Sequence, residues 1–329
     1  MRLPRLILPA LTIGFAVVFA PMPSGAAPAQ PGLPDRGNVQ MQEVFSPDGS
    51  ISKVAVPKPK LQARTMAAAV TSEVVPVQVT GGTDARFDLV FIGDGYTAAD
   101  LDLYHEHVLS KWAELSAVEP FKSYKDYFNV WQVNVISDQS GVDNDPKGTF
   151  RDTALDMGFY CQGRTPETER LLCLSEAEAE AYSSVVPGAD QVIAIGNTTK
   201  YGGAGGKYAT VAGGNFYAGQ IAVHELGHSI GGLADEYFSD APYIGTEPVE
   251  PNVSTRADGS KWAEYLGQPT PDGGVIGVHE GGKYYKTGIY RPSDNSIMRT
   301  LGREYNLVGR NAMIKAFIAK IPELQTPTP

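Results

Sequence analysis

The chain has 329 residues, 42% of them hydrophobic, with 27 Lys and Arg against 37 Asp and Glu and a net charge of −10. Such an acidic balance argues against nucleic acid or an anionic membrane as partner, since both reward a basic face. The length suffices for a buried core in one large domain or two lobes around a cleft, so the two cysteines are not needed to offset a small core.

The N-terminus has the order of an export signal. Arg2 and Arg5 precede an apolar run from Leu6 to Ala20, and small residues follow up to Ala29. A membrane anchor needs ~20 continuous apolar residues, whereas this run is shorter and broken by Pro9. Residues 1–29 are therefore expected to be a cleaved signal peptide, with the cut after Ala27 or Ala29. No later run is apolar enough to span a bilayer, so the expected mature form is secreted, extracellular and free of the membrane, with 25 basic against 37 acidic residues. In an oxidising compartment Cys161 and Cys173 are expected to form a disulfide.

Residues 30–73 place Pro31, Pro34, Pro57 and Pro59 around polar segments, with only short β-like pieces such as Glu43-Val44-Phe45. They read as an N-terminal extension, with ordered structure starting at Val74. Strands are expected at Val74–Val79, Phe87–Ile92, Phe128–Val135 and Gln191–Ile195. Between the second and third of these, Thr97 with Asp100 opens a helix whose Leu101, Tyr104, Val108 and Trp112 recur at helical spacing. Strands separated by helices imply an α/β or α+β sheet domain, assigned to residues 74–321. A flexible tail is expected over 322–329, where Pro and Thr disfavour a helix. The Gly-rich segment Tyr201–Gly206 lacks the Lys-Ser/Thr ending of a phosphate loop and reads as a mobile or close-approach loop.

The chemistry concentrates in His224-Glu225-Leu226-Gly227-His228, set among the apolar Ile221, Ala222, Val223 and Ile230. Residues four apart on a helix lie only ~40° apart around its axis, so both imidazoles can aim at one ion while Glu225 points to its flank. That arrangement suits hydrolysis by one catalytic zinc ion, with Glu225 accepting the proton of the attacking water. The alternative, two core histidines flanking a glutamate, would bury an uncompensated charge.

Catalytic zinc usually takes three protein ligands. Gly231 follows His228 by three, where metzincin peptidases let the chain leave the helix, but their third His is replaced here by Ala234. The carboxylate of Asp235 is the expected third ligand, with Glu236 its nearest competitor and His279 a distant one. His105 and His107 are two apart on a helix, ~200° around its axis, and cannot form a joint site. Met298, within Asn295–Arg299, sits in a turn-like setting suited to an apolar floor beneath the metal. Weaker candidates are Asp94 as an orienting group, Tyr290 as an oxyanion donor, and the acidic stretch Asp138–Asp145 as a calcium site, though it lacks the EF-hand spacing.

Three segments together resemble the igalysin family of zinc metallopeptidases: Asp88–Tyr96, His224–Tyr237, and Tyr290-Arg291-Pro292 with Ser296–Arg299. The resemblance spans roughly residues 75–305. It implies a zincin-like catalytic domain in which His224, His228 and a following acid hold the metal and Glu225 is the base. The family's name is not carried over as a substrate; protein or peptide is the expected substrate class. The expected fold is α+β and zincin-like, a twisted mixed sheet with a backing helix and an active-site helix above a cleft and an irregular C-terminal lobe below. Two rival readings use the same residues: a zinc amidase acting on cell-wall peptides, and a surface module whose zinc is structural.

Overall fold

The computed structural model describes residues 39–58, 72–144 and 148–325, apart from the side chain of Gln162. The expected signal peptide, residues 30–38 and 59–71 of the expected extension, Asp145 of the acidic stretch and residues 326–329 of the tail lie outside the described residues. All described residues belong to one unit, Asn38–Pro329.

The first described element is a hairpin in which β1 (Val39–Phe45) pairs antiparallel with β2 (Ile51–Pro57), placing Glu43 opposite Lys53 and Phe45 opposite Ile51. Its turn is Ser46-Pro47-Asp48-Gly49, and Gly49 takes φ 87°, a conformation that L side chains avoid. Ordered structure thus begins before Val74, and the expectation of a start there is corrected. Pro57 misled because it lies at the strand end, where it removes no hydrogen bond from the ladder's interior. Strand alternation sends Phe45 and Ile51 into the main core and Val44 and Val56 the other way, against Leu171 and Ala204. Each such burial contributes about 1.5–3 kcal/mol, so the hairpin is packed firmly on the rest of the described fold.

β3 (Val74–Gln78) and β4 (Phe87–Asp94) follow, then α1 (Leu101–Ser116), the single turn α2 (Phe121–Tyr124) and β5 (Phe128–Val133). A short antiparallel pair, β6 (Gly158–Phe159) and β7 (Leu172–Cys173), leads to α3 (Glu176–Ser183), β8 (Gln191–Gly196), β9 (Gly203–Ala204) and β10 (Ala209–Ala212). Next come α4 (Gly219–Ser229), the antiparallel pair β11 (His279–Gly282) and β12 (Tyr285–Arg291), α5 (Leu307–Lys320) and α6 (Pro322–Gln325). The fold is mixed α+β.

Six strands form one mixed sheet in the order β3-β5-β4-β8-β10-β9, parallel at its centre and antiparallel at both edges. The four strands expected from apolar runs are β3, β4, β5 and β8. All eight residues of β4 are buried, because both faces of the sheet are covered. Leu89 and Phe91 meet Tyr104 and Val108 of α1, Ile221 and Leu226 of α4, and Phe317 of α5, while Val90 and Ile92 meet Met157, Phe159 and Leu172 on the other face. Thr97 and Asp100 form the expected capping box, over a 3₁₀ turn that leads into α1. From Ile230 to Asn306 regular structure is sparse, as expected of the C-terminal lobe. α6 corrects the reading of residues 322–325 as non-helical. Pro322 fits a first helical turn, and Leu324 packs on the core. Among the described residues no helix is long and apolar enough to cross a membrane.

Cys161 and Cys173 form the expected disulfide, beneath the Val44 and Val56 side of the hairpin. Replacing both with Ser is expected to lower the unfolding free energy by about 2–4 kcal/mol. Urea denaturation reads this as a lower midpoint, and an unchanged midpoint would remove any stabilising role from the bridge.

Candidate active site

The His-Glu-x-x-His segment lies on α4, whose Ile221, Ala222, Val223 and Leu226 face the core. Glu114, paired with buried Lys111 at 2.6 Å, stands at the start of the helix. A carboxylate there complements the positive end of the helix dipole. Gly219 is required at this point, because a Cβ would meet Glu114 Oε2 at 1.9 Å.

Each imidazole is oriented by one nitrogen. His224 Nδ1 donates to Ile297 O at 3.0 Å and His228 Nδ1 to Leu233 O at 2.7 Å. Both Nε2 atoms consequently face the same point, 3.1 Å apart. The floor beneath them is the expected Met turn. Met298 is buried, and a Cβ on Gly227 would come within 2.6 Å of its sulfur and 2.8 Å of the Tyr305 ring.

The helix ends where the sequence has Gly231-Gly232. Gly232 takes φ 59°, its amide donates to His228 O, and the Leu233 amide folds back onto Gly227 O. Gly231 leaves room for Met313, whose sulfur would lie 2.8 Å from a Cβ there. Asn252 then braces the returning chain, donating to Ala234 O and accepting from Ala234 N, both at 2.8 Å. Asp235 is carried into the site, with Oδ1 3.2 Å from His224 Nε2 and 3.3 Å from His228 Nε2. Its Oδ2 accepts from the Tyr284 hydroxyl. Ala234 faces away, into a cluster with Val253 and Ile289.

Glu236 has a different task. Its carboxylate accepts from Asn252 at 3.0 Å, Ser296 at 2.7 Å and Asn306 at 2.9 Å, and its amide donates to Met298 O at 2.7 Å. It ties the Asp235 segment to the Met turn and points away from the imidazoles. Burial raises its pKa, against the pull of these three donors.

Glu225 is buried beside the imidazoles, and its Oε1 has no hydrogen-bond partner. The Gly-rich loop makes room for it, since a Cβ on Gly205 would lie 2.0 Å from Glu225 Oε2. Here the close-approach reading holds. Burial pushes the Glu225 carboxyl up to about 7, in spite of the two imidazoles that pull it down.

A fourth group, absent from the sequence reasoning, comes from β1. Glu43 Oε2 lies 3.3 Å from His224 Nε2 and 3.8 Å from His228 Nε2, and its Oε1 accepts from Tyr237 at 2.7 Å. Glu43, His224, His228 and Asp235 together could hold a metal ion, their ligand atoms all lying within 4.8 Å of one another. Burial alone would raise the Glu43 carboxyl, but hydrogen bonds from both imidazoles hold it far below the usual range. Burial would likewise lower His224, yet Asp235 and Glu43 push it up to about 10, and His228 shifts the same way. Two acids and two imidazoles around one point thus favour a positive charge between them. Pro47-Asp48-Gly49 between two alternating apolar stretches was a legible hairpin signal, but nothing local tied residue 43 to residue 224.

The family model for IgA Peptidase M64 matches residues 75–273 and 270–317. The chain belongs to this peptidase family. The match bears out the igalysin resemblance, and it places the imidazole pair and Asp235 of this M64 peptidase inside the matched region, with Glu43 outside it. No curated protein matches the chain.

The remaining candidates of this M64 peptidase lie elsewhere or do other work. His105 bonds Gln132 and His107 bonds Tyr96, both at 2.8 Å. His279 sits on β11 opposite Arg291, outside the group of four. Tyr290 packs against Trp262, Ile276 and Val308 rather than over the imidazoles. Asp94 accepts from the amides of Leu155 at 2.7 Å and Met157 at 2.9 Å, a structural role in joining β4 to the covering segment. The described part of the acidic stretch contributes nothing to the metal-holding group; Asn144 Oδ1 accepts instead from Lys200.

Glu236→Ala would leave three buried donors without their acceptor. We expect it to lower stability by about 3 kcal/mol or more in urea denaturation, with metal content of the folded fraction unchanged. A variant of full stability that had lost its metal would make Glu236 a ligand after all.

Proposed function

We propose that this M64 chain is a secreted, zinc-dependent endopeptidase with a zincin-like catalytic domain over residues 74–321. The observation that carries the reading is the spacing of three ligand atoms. His224 Nε2, His228 Nε2 and Asp235 Oδ1 form a triangle with sides of 3.1, 3.2 and 3.3 Å. Tetrahedral zinc with bonds near 2.0 Å sets its ligand atoms about 3.3 Å apart. Asp235 Oδ1 is buried against both Nε2 atoms, and a cation in that triangle would satisfy all three ligand atoms at once. Two nitrogens and one oxygen also suit zinc better than the all-oxygen cations.

Zinc held there would lower the pKa of a coordinated water and polarise the scissile carbonyl. Glu225, unpaired at Oε1 and next to the imidazoles, would be the base that accepts the proton of the attacking water and the acid that returns it to the departing amine. Tyr284 and the Asn252 brace keep Asp235 in position, while the carbonyls of Ile297 and Leu233 keep both imidazoles in the tautomer that leaves Nε2 free. A structural zinc site would have no use for a buried, unpartnered glutamate beside it. Secretion is supported by the export-signal pattern of residues 1–29 and by the disulfide.

Purified protein is expected to hold one zinc ion per chain, and whatever peptidase activity it has should be lost on chelation. Glu225→Gln should retain the ion and lose about 10²-fold or more in turnover, whereas Asp235→Ala should bind zinc more weakly than the parent at equal free-zinc concentration. Undiminished turnover by Glu225→Gln would dispose of the mechanism, and unaltered zinc affinity in Asp235→Ala would dispose of the third ligand.

A further inference from the structure

We propose that the β1–β2 hairpin is an internal inhibitor, in which Glu43 fills the fourth position around the metal and keeps the full chain latent. The proposal rests on the zinc peptidase reading above. A catalytic zinc needs three protein ligands and one open position, while a site closed by four protein ligands is structural in character. The triangle of His224, His228 and Asp235 already supplies three. Glu43 Oε2, 3.3 Å from His224 Nε2, stands where a water or a substrate carbonyl has to enter.

Three further observations bear on this. Glu43 lies outside the region that the peptidase family model matches, which starts at residue 75, whereas the other three groups lie within it. The blocking group thus precedes the matched region in the chain. The site is also arranged to keep Glu43 in place: Tyr237 donates to Oε1, and Lys53, across the ladder, sits 3.8 Å from the same oxygen and 3.3 Å above the Tyr284 ring.

The hairpin, finally, occupies more than one point of the site. Phe45 stacks edge-on against the His224 ring at 5.4 Å, and Val44 lies against Ala204 of β9, the outermost strand of the six-stranded sheet. An extended peptide that presented its backbone to that edge and its carbonyl to the metal would meet β1 at both places. Anchors away from the metal hold the block down. Arg170 donates to Phe45 O and Ser46 Oγ, each at 3.0 Å, and the Leu301 amide donates to Gly49 O at 2.9 Å. So many anchors make spontaneous withdrawal rare.

The test uses the zinc-loaded full chain beside its Glu43→Gln and Glu43→Ala variants. Both variants should keep one zinc per chain, because three ligands remain. Both should bind acetohydroxamate, which needs open zinc positions, about tenfold or more tightly than the parent by calorimetry, since the parent is competent only in the fraction of molecules with Glu43 withdrawn. Peptide hydrolysis should rise with hydroxamate affinity. Glu43→Gln preserves size and the Tyr237 hydrogen bond, so a thermal midpoint close to that of the parent excludes general loosening as the cause. Loss of zinc from either variant would make Glu43 a permanent ligand and overturn the proposal, as would equal hydroxamate affinity in all three chains. Tighter hydroxamate binding with no peptide hydrolysis would support the Glu43 block and count against zinc-dependent catalysis instead.

Discussion

An imidazole has two nitrogens, and the site is organised by how each histidine divides them. His224 and His228 spend their Nδ1 protons on the carbonyls of Ile297 and Leu233, which leaves two lone pairs converging 3.1 Å apart inside the protein. Such a pair is repulsive unless something positive lies between its members. The acids that gather there, the hydroxyls that orient them and the turns that deliver them all answer that one electrostatic demand. The demand also explains why α4 is joined to two distant segments. Ile297 precedes the Met turn, and Leu233 follows the glycine reversal, so the rings can be aimed only when both are in place.

The neighbouring acids Asp235 and Glu236 show how little residue type alone decides. Successive side chains of an extended segment point to opposite sides. Asp235 accordingly faces the imidazoles, while Glu236 enters a pocket of Asn252, Ser296 and Asn306 donors. Exchanging their roles would require shifting the chain by one residue, which the two-way hydrogen bonding of Asn252 to Ala234 opposes. The longer side chain of Glu236 suits the longer reach, to the segment that carries Met298.

Much of this was legible in the sequence because it is local. The buried strand β4, the capping box at Thr97 and the aim of His224 and His228 along one helix follow from periodicities of two and 3.6. The turn back to Asp235 was legible through Gly231 and Gly232, whose lack of a side chain announces a reversal. The hairpin was misjudged because proline density was weighed above the alternation of Val39–Phe45 and Ile51–Val56. The Glu43 contact lay beyond any local signal. It joins residues 181 positions apart, and no spacing rule links an acid in a strand to an imidazole in a helix at that range. α5 falls between these cases. Asn306 caps it, and Val308, Met313 and Phe317 are its buried residues, but its value to the site comes from Met313 against Gly231, which periodicity does not reveal.

The bond from His224 to Ile297 also has a temporal meaning. A growing chain that has passed residue 228 already carries both imidazoles and Glu225, but the carbonyl that orients His224 is still missing, as is the Ser296 donor that pins Glu236 beside Asp235. Contacts across such separations form late, because the entropy of closing the intervening loops must be met first. The order of synthesis alone therefore prevents a chain that stops short of residue 297 from orienting both imidazoles, and the site comes into being only once that segment has been made.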